Sequence, residues 1–354
     1  MTELFQRSLQ IILANQTPGG AYIAGPGFPS YRYCWFRDGS FTAYAMDLVG
    51  KHDSSERFHD WAAATINARA EVVKRSVDKA RRDEPLTAAD YLHTRYAPDG
   101  GEAQGEGWPN FQLDGFGTWL WALGEHQQLG GRSLPKAWSR AAELVSDYVT
   151  VLWSRPCFDC WEEFPDRVHA YTLAAIYGGL RADERMRRAD HRATLELLAH
   201  VLRSRAVADG HFVKFIGTAE VDANLLGLAT PFGVVETEDP AMLATVQRIE
   251  SDLQRGGGLH RYRADSYYGG GEWILLTGWL GWHFAQRGER DKAEAALRWI
   301  EAQADADGQL PEQVPVNLND PAHYAPWRER WGDIARPLLW SHAKYLILHR
   351  AVRG

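Results

Sequence analysis

Residues 239–254 read DPAMLATVQRIESDLQ, and this stretch shows the pattern that decides the fold. Asp239 followed by Pro240 is a typical helix start, because the aspartate can cap the first turn and proline already has a helical φ. The apolar side chains that then recur at intervals of three and four residues are Met242, Val246, Ile249 and Leu253. That spacing places them on one face and predicts an amphipathic α-helix.

The same periodicity recurs along the chain and predicts about twelve helices. They are expected at residues 2–15, 38–50, 54–78, 113–128, 134–153, 167–181, 185–205, 221–228, 239–254, 273–287, 290–304 and 338–351. The sequence shows no sustained alternation of apolar and polar residues that would require a large sheet, and no Ser- or Gly-rich linker. The prediction is therefore an all-α fold, with residues 1–354 forming a single domain built as an α/α barrel of six helical hairpins.

Five long segments between the predicted helices are rich in Gly, Pro, Trp and Tyr. They span residues 17–34, 94–112, 206–220, 255–271 and 305–337. The loops at one end of an α/α barrel build its active site, and long loops on a rigid scaffold usually carry function. The functional residues are therefore expected in or beside these segments.

Composition argues against several classes of function. The 354 residues are 45% hydrophobic, and they carry 39 Lys plus Arg against 46 Asp plus Glu, a net charge of −7. The charge is spread along the chain without a basic block, so neither nucleic acid nor an anionic membrane is an expected partner. No apolar run is long enough to span a bilayer.

The expected cellular location follows from the N-terminus and the cysteines. Met1 to Gln16 is amphipathic and lacks the continuous apolar centre of a signal peptide, so it is expected to be the first helix. The three cysteines, Cys34, Cys157 and Cys160, are too few for a disulfide framework. These features predict a cytoplasmic protein.

The aromatic content is high, with 15 Trp, 14 Tyr and 13 Phe. Trp and Tyr combine a flat apolar face with a polar group, which suits the apolar face of a sugar ring. Large helical domains also use tryptophan in the core, and composition alone favours that simpler interpretation.

Two clusters of aromatic and polar residues each lead into a predicted helix. The first contains Tyr31, Trp35, Arg37 and Asp38, and the second contains Trp108 and Asp114. Each aspartate stands where a helix N-cap is common, which is the simpler interpretation of both. An arginine beside an aspartate among aromatic rings also supplies the donors and acceptors that sugar hydroxyls need.

The segment Asp159-Cys160-Trp161-Glu162-Glu163 carries paired glutamates. Such pairs are common on solvated helix faces, but here cysteine, tryptophan and phenylalanine residues surround them. A carboxyl group in an apolar site has a raised pKa and can hold a proton near neutral pH. That property is what a general acid needs.

Two further segments contain candidate polar residues. Glu312 follows Leu310-Pro311 in a predicted loop, where an exposed glutamate is the simpler interpretation. Arg261-Tyr262 precedes the run YYGGGEW at 267–273, which lacks the Lys and Ser/Thr of a phosphate-binding loop. The glycines are better suited to a close approach of the backbone to a ligand.

The metal and redox signals are weak. Cys157 and Cys160 form a CxxC pair, but no second pair accompanies it, so two buried cysteines are the favoured interpretation. None of the 13 histidines shows an HExxH-like ligand spacing, and a structural role is favoured for His342. Neither a metal nor a cofactor is expected.

Taken together and in order, these segments resemble the glucoamylase family, glycoside hydrolase family fifteen. The resemblance runs from about Tyr31 to Tyr345. Its segments are Trp35-Phe36-Arg37-Asp38, Asp159-x-Trp161-Glu162-Glu163, Arg261-Tyr262 with Tyr267-Tyr268 and Trp273, and Glu312-Gln313. It implies a six-hairpin α/α barrel and an inverting, exo-acting hydrolase.

The resemblance also implies roles for individual residues. Glu162 would be the general acid that protonates the departing oxygen, and Glu312 the general base that activates water on the opposite face. Glu163 would contact the leaving sugar, and Arg261 would bind across the cleavage point. The other expected substrate contacts are Tyr31, Trp35, Arg37, Asp38, Trp108, Asp114, Trp161, Glu272, Trp273 and Trp340.

The chain also departs from the family. It has no room for the N-terminal β-sandwich of many bacterial glucoamylases, and Glu272 stands where proline is often found. These departures, and a resemblance to the small bacterial isomaltose glucohydrolases, predict a short substrate, with isomaltose ahead of maltose and Glu272 selecting among leaving sugars. The alternatives are a trehalase, a glucosyl transferase and a non-catalytic sugar-binding protein. The oligomeric state stays open.

Overall fold

A computed structural model describes residues 3–103, 108, 110–130 and 134–354. Within them lie thirteen α-helices: α1 Glu3–Ala14, α2 Phe36–Leu48, α3 His52–Asn67, α4 Ala70–Arg81, α5 Asp114–Gly130, α6 Lys136–Leu152, α7 Ala170–Arg187, α8 Arg192–Arg205, α9 Pro240–Leu253, α10 Ile274–Gln286, α11 Arg290–Glu301, α12 Tyr324–Trp331 and α13 Leu339–Arg353. Thr2, where the first predicted helix begins, and part of the predicted loop 94–112 lie outside the described residues.

Five of these helices and one 3-10 helix close into an inner ring. Helix α2 packs on α5, α5 on α7, α7 on the 3-10 helix Ala223–Leu228, that helix on α10, α10 on α13, and α13 on α2. The inner helix α10 is the clearest case: every residue from Ile274 to Phe284 is buried, so its sequence lacks a polar face. This closed ring confirms the predicted all-α, α/α-barrel fold.

Outer helices pack around the ring and show the opposite pattern. Helix α6 packs on α3 and α4, α11 on α10, α8 on α7, and α1 on α13. In α11 only Ala293, Ala296, Leu297 and Ile300 are buried. That one-sided burial is the amphipathic spacing seen in the sequence. No helix in the described part of the chain combines the length and the apolar character needed to cross a membrane.

Short strands tie the loops together. The described residues contain eight: β1 Cys34–Trp35, β2 Arg95–Tyr96, β3 Val207–Ala208, β4 His211–Phe212, β5 Gln254–Arg255, β6 Gly258–Leu259, β7 Glu272–Trp273 and β8 Gln313–Val314. Antiparallel pairing joins β1 to β2 and β3 to β4, and β5 to β8 form one sheet in that order. All are two residues long, in agreement with the absence of a sheet pattern in the sequence.

Three helix predictions need correction. The helix expected over 54–78 is two helices, α3 and α4, because the chain turns at Ala68 and Arg69, where the Arg69 guanidinium donates to the carbonyl oxygens of Thr65 and Gly100. The element expected over 221–228 is a 3-10 helix. Helix α12 lies within the segment expected to be a loop.

Candidate active site

A cavity lies where several of the inner helices begin. Arg37 and Asp38 start α2, Trp273 immediately precedes α10, and Trp340 lies in the first turn of α13. All line one cavity of about 400 Å³. The inner helices therefore point their N-termini at this cavity, and the loops that enter them form its wall.

Most of the predicted site residues surround this cavity, although they come from distant parts of the sequence. Those that line it are Tyr31, Trp35, Arg37, Asp38, Trp108, Trp161, Glu162, Glu163, Arg261, Trp273, Glu312 and Trp340. Among these predicted residues are three glutamates, two arginines and five tryptophans, all around one space.

Glu162 sits on a constrained turn before α7. Its φ is +66°, which is uncommon for a residue other than glycine. The turn is held by Asp159, whose Oδ1 accepts hydrogen bonds from the backbone N–H groups of Trp161 and Glu163, both at 2.9 Å. This geometry presents the Glu162 carboxyl group to the cavity, where it accepts a hydrogen bond from Trp35 Nε1.

A buried cation lies behind that turn. Lys214 Nζ is 3.7 Å from Asp159 Oδ2 and 3.2 Å from Asp222 Oδ2, with side chains at most 2% exposed. Asp222 Oδ2 also accepts a hydrogen bond of 2.9 Å from Trp161 Nε1. Lys214 thus places one positive charge between the two carboxylates that fix the turn. Its role is not apparent from the sequence, because its partner Asp159 lies far from it along the chain.

Glu312 lies immediately before β8 and lines the same cavity as Glu162. Its backbone N–H donates to Ala335 O at 2.9 Å, and its side chain is buried. The Tyr31 hydroxyl donates to Glu312 Oε1 at 3.1 Å, and Tyr267 lies 2.9 Å from that hydroxyl. Because Tyr31 donates its proton to Glu312, Tyr267 must donate to Tyr31.

Both glutamates have raised pKa values. Burial raises the pKa of Glu162 to about 7, while the charge of Arg37 and the Trp35 hydrogen bond act in the opposite direction. Burial raises the pKa of Glu312 to about 8 against the opposing effects of Arg261 and Tyr31. Perturbed carboxyl groups facing one cavity are typical of catalytic acids and bases.

Two arginines are held in fixed positions by carboxylates. Arg37 contacts Asp38 at 3.2 Å and Asp114 at 3.4 Å, and its guanidinium lies over the Trp340 ring. Arg261 forms a bidentate pair with Asp265, and its Nη2 also lies 3.3 Å from Glu163 Oε1. Such planar donors suit the binding of hydroxyl groups in a set orientation.

Asp114 and Glu272 are not among the residues that line the cavity, so the geometry does not support the prediction that they contact substrate. Asp114 is fully buried behind Arg37 and orients it. Glu272 and Trp273 are neighbours on β7, so their side chains point to opposite faces. Trp273 therefore lines the cavity, whereas the buried Glu272 Oε1 accepts a hydrogen bond of 2.8 Å from Asn317 Nδ2.

One wall of the cavity was not predicted. Helix α12 contributes Trp327, Arg330 and Trp331 to the lining, and the Trp327 ring packs edge-on against Tyr267 at 4.9 Å. Tyr267 itself lines the cavity beside Glu312. The spacing of Trp327 and Trp331, one helical turn apart, was the available signal for a short helix.

Two buried carboxyl groups with raised pKa values, in an aromatic cavity with fixed arginines, are the arrangement expected in a glycoside hydrolase. Comparison with known proteins identifies the family: the one described as glycosyl hydrolases family 15 matches residues 2–314. This chain belongs to glycosyl hydrolase family 15.

Individual relatives support that membership. Isomaltose glucohydrolase of Kribbella flavida is 42% identical over 98% of this chain and 91% of its own length. Trehalase 1 of Sulfolobus acidocaldarius is 23% identical over 92% of this chain but 57% of its own length.

Solved structures agree with these relatives. A glycosidase variant in complex with glucose superposes with a TM-score of 0.95 at 41% identity, covering 99% of this chain and 96% of its own. A bacterial glucoamylase complexed with acarbose has a TM-score of 0.78 at 19% identity, covering 99% of this chain and 55% of its own. At that identity the glucoamylase supports the shared fold alone.

Proposed function

We propose that this enzyme removes terminal glucose from short α-glucosides with inversion, and that isomaltose is its preferred substrate. The observation that carries the proposal is the pairing of Glu162 and Glu312 across one small cavity. The likeness to isomaltose glucohydrolase, with 42% identity over nearly the full length, supports the choice of linkage.

In the proposed reaction Glu162 gives its proton to the glycosidic oxygen as the bond from that oxygen to C1 breaks. Glu312 takes a proton from a water molecule, whose oxygen bonds to C1 from the opposite face and yields β-glucose. The Tyr31 hydrogen bond and the charge of Arg261 favour the carboxylate form of Glu312, as a base requires.

Substrate binding follows from the walls of the cavity. Arg37 and Asp38 supply donors and acceptors for the hydroxyls of the terminal glucose, and the tryptophan faces supply apolar contact. Glu163 accepts hydrogen bonds from Arg261 and Tyr262, so this group is fixed near the turn and is proposed to contact the leaving sugar.

The size of the cavity supports a short substrate. A volume of about 400 Å³ is near the lower end of ligand sites. Helix α12 adds Trp327 and Trp331 to the wall of the cavity, and we propose that they limit the room for a longer chain. We propose that the chain acts as one catalytic domain, with a cytoplasmic location that cell fractionation would test.

The proposal is tested by glucose release from isomaltose, maltose, trehalose and soluble starch, with the product anomer followed by NMR at early times. We expect β-glucose, released fastest from isomaltose. Initial α-glucose would contradict inversion and the role of Glu312 as base. Fastest release from trehalose would favour a trehalase. No release from any substrate would favour a transferase or a binding protein.

A further inference from the structure

Three metal-ligating side chains meet at the end of the barrel opposite the cavity. Asp47 lies in the last turn of α2, whose first turn carries Arg37 at the cavity. His126 lies towards the C-terminus of α5, whose first residue, Asp114, contacts Arg37. At 1.5 Å per residue these positions are roughly 15 to 18 Å further along each helix. The third side chain, His59, comes from the outer helix α3.

The ligand atoms of these three side chains lie close together. A carboxylate oxygen of Asp47 and one ring nitrogen each of His59 and His126 lie within 4.8 Å of one another. The three residues are 3%, 0% and 2% exposed, respectively. Ligand atoms around one zinc ion are at most about 4 Å apart, so small rotations of the two rings bring them to coordination distance.

The histidines have unused ring nitrogens. Neither nitrogen of His59 has a hydrogen-bond partner among the described residues, and the same holds for Nε2 of His126. Buried polar atoms nearly always have a partner. A fully buried imidazole whose two nitrogens lack one, set beside a carboxylate and a second imidazole, is suited to hold a cation.

The carboxylate is held in place by its other neighbours. Asp47 Oδ1 is 2.8 Å from His52 Nδ1, and Oδ2 accepts a hydrogen bond of 2.7 Å from Ser55 Oγ. His126 Nδ1 lies 2.9 Å from both oxygens. The contacts from His52 and Ser55 are of the kind that orients metal ligands. The contact between Asp47 and His126 joins two proposed ligands, and a cation held by that carboxylate and this nitrogen would take the place of the proton they share.

We propose that Asp47, His59 and His126 form a binding site for a divalent transition metal, with Zn²⁺ as the preferred ion. Two imidazoles and one carboxylate favour zinc over Mg²⁺ and Ca²⁺, which prefer oxygen ligands. The ion would join α2, α3 and α5 at the closed end of the barrel. Its role is structural, because the site lies far from Glu162 and Glu312.

The direct test is metal content. The full-length protein is dialysed against EDTA, incubated with excess Zn²⁺, desalted and analysed by inductively coupled plasma mass spectrometry. We expect about one zinc per chain, a melting temperature raised by about 2–5 °C, and a four-coordinate visible absorption band when Co²⁺ replaces zinc. Mg²⁺ is expected to produce neither the melting shift nor retention.

Variants then locate the ion. His59→Gln and Asp47→Asn are each expected to lower zinc retention at least tenfold. The matched control is His283→Gln, because His283 is equally buried and its Nε2 also lacks a partner among the described residues, but it belongs to α10.

Two results would overturn the proposal: zinc retention below about 0.2 per chain in the unsubstituted protein, or full retention in His59→Gln. If a variant does not fold, the zinc content and cobalt spectrum of the unsubstituted protein decide the question. None of these measurements depends on the sugar substrate, so the proposed function and the metal site can fail separately.

Discussion

The hydroxyl of Tyr31 donates a hydrogen bond of 3.1 Å to Oε1 of Glu312. The Tyr31 oxygen in turn accepts a hydrogen bond from the Tyr267 hydroxyl, 2.9 Å away. Tyr31 lies more than 200 positions in sequence from both Tyr267 and Glu312, and the three residues form a chain of hydrogen bonds that ends on the proposed catalytic base. The protonation state of Glu312, and with it the rate at low pH, depends on this contact.

Replacing Tyr31 with phenylalanine is therefore expected to act through the pKa of Glu312. Losing a donor to the carboxylate destabilises the charged form, so the pKa of Glu312 rises further above that of Glu162. The active pair, with Glu312 ionised and Glu162 protonated, becomes rarer, so the height of the rate profile falls and its alkaline limb moves to higher pH. A hydrogen bond to a charged group contributes about 1.5–3 kcal/mol, which predicts a rate loss of roughly tenfold to a hundredfold. A pH–rate profile with unchanged height and an unchanged alkaline limb would contradict the proposed role of this hydrogen bond.

The unsubstituted enzyme is expected to show a narrow bell-shaped profile of kcat/KM. Glu312, with a pKa of about 8, must be ionised, and Glu162, with a pKa of about 7, must be protonated. Because the base has the higher pKa, the active form is a minor fraction that stays nearly constant between these two values, and activity falls below about pH 7 and above about pH 8. The pair then titrates as a unit, with an optimum between about pH 7 and 8. A profile that is flat from pH 5 to 9 would contradict this.

Glutamine variants assign the two roles. Glu162→Gln and Glu312→Gln are each expected to lower kcat on isomaltose by about a hundredfold or more. Fluoride leaves without protonation, so Glu162→Gln should hydrolyse α-glucosyl fluoride at a rate close to that of the unsubstituted enzyme, whereas Glu312→Gln should not.

The matched control for these variants is Glu272→Gln, which keeps the buried shape and the contact with Asn317. Because Glu272 faces away from the cavity, we expect nearly full activity. A large loss in this control would mean that the substitution of any buried glutamate disturbs the fold, and the assignment of the other two would need independent evidence.

The sequence predicts the scaffold well because the spacing of apolar residues follows the burial of each helix. The inner helix α10 is apolar throughout and the outer helix α9 is apolar on one face. Helix α12 has no buried residue, so its sequence shows no such spacing of apolar residues. The break at Ala68 and Arg69 also lacks a local signal, since neither Gly nor Pro marks it and the Arg69 side chain bonds to distant Gly100.

The candidate site was predicted less completely, for a similar reason. Motif residues such as Arg37 and Glu162 are recognisable in the sequence, but the direction of a side chain is set by the local backbone. Glu272 and Trp273 differ in role only because adjacent strand residues face opposite ways. Lys214 has no local motif, because its partners Asp159 and Asp222 come from two other loops.

Helix α12 supplies the next prediction. Trp327 is half-buried, lines the cavity and packs on Tyr267. Trp327→Ala removes an aromatic wall, so we expect the KM for isomaltose to rise about tenfold while kcat changes little. The ratio of activity on maltotriose to that on isomaltose should also rise. Trp153→Ala, which removes a half-buried tryptophan outside this cavity, is the control and should leave both values unchanged.

Lys214 gives a prediction about positioning rather than contact with substrate. Lys214→Met leaves Asp159 and Asp222 buried without their cation, and removing one partner of a buried ion pair costs about 3–5 kcal/mol. Asp159, which already has a pKa of about 7, is then expected to take up a proton and weaken its hold on the turn that carries Glu162.

The measurable consequence is a melting temperature lower by several degrees, with kcat at least tenfold lower and a much smaller change in KM. Because the defect lies in the placement of the proposed acid, hydrolysis of α-glucosyl fluoride should be affected far less than hydrolysis of isomaltose. Lys292→Met removes a half-exposed lysine that also pairs with two carboxylates, Glu250 and Glu289, and should leave both rates unchanged. Equal losses on both substrates in Lys214→Met would show that Lys214 supports the fold as a whole rather than the turn at Glu162.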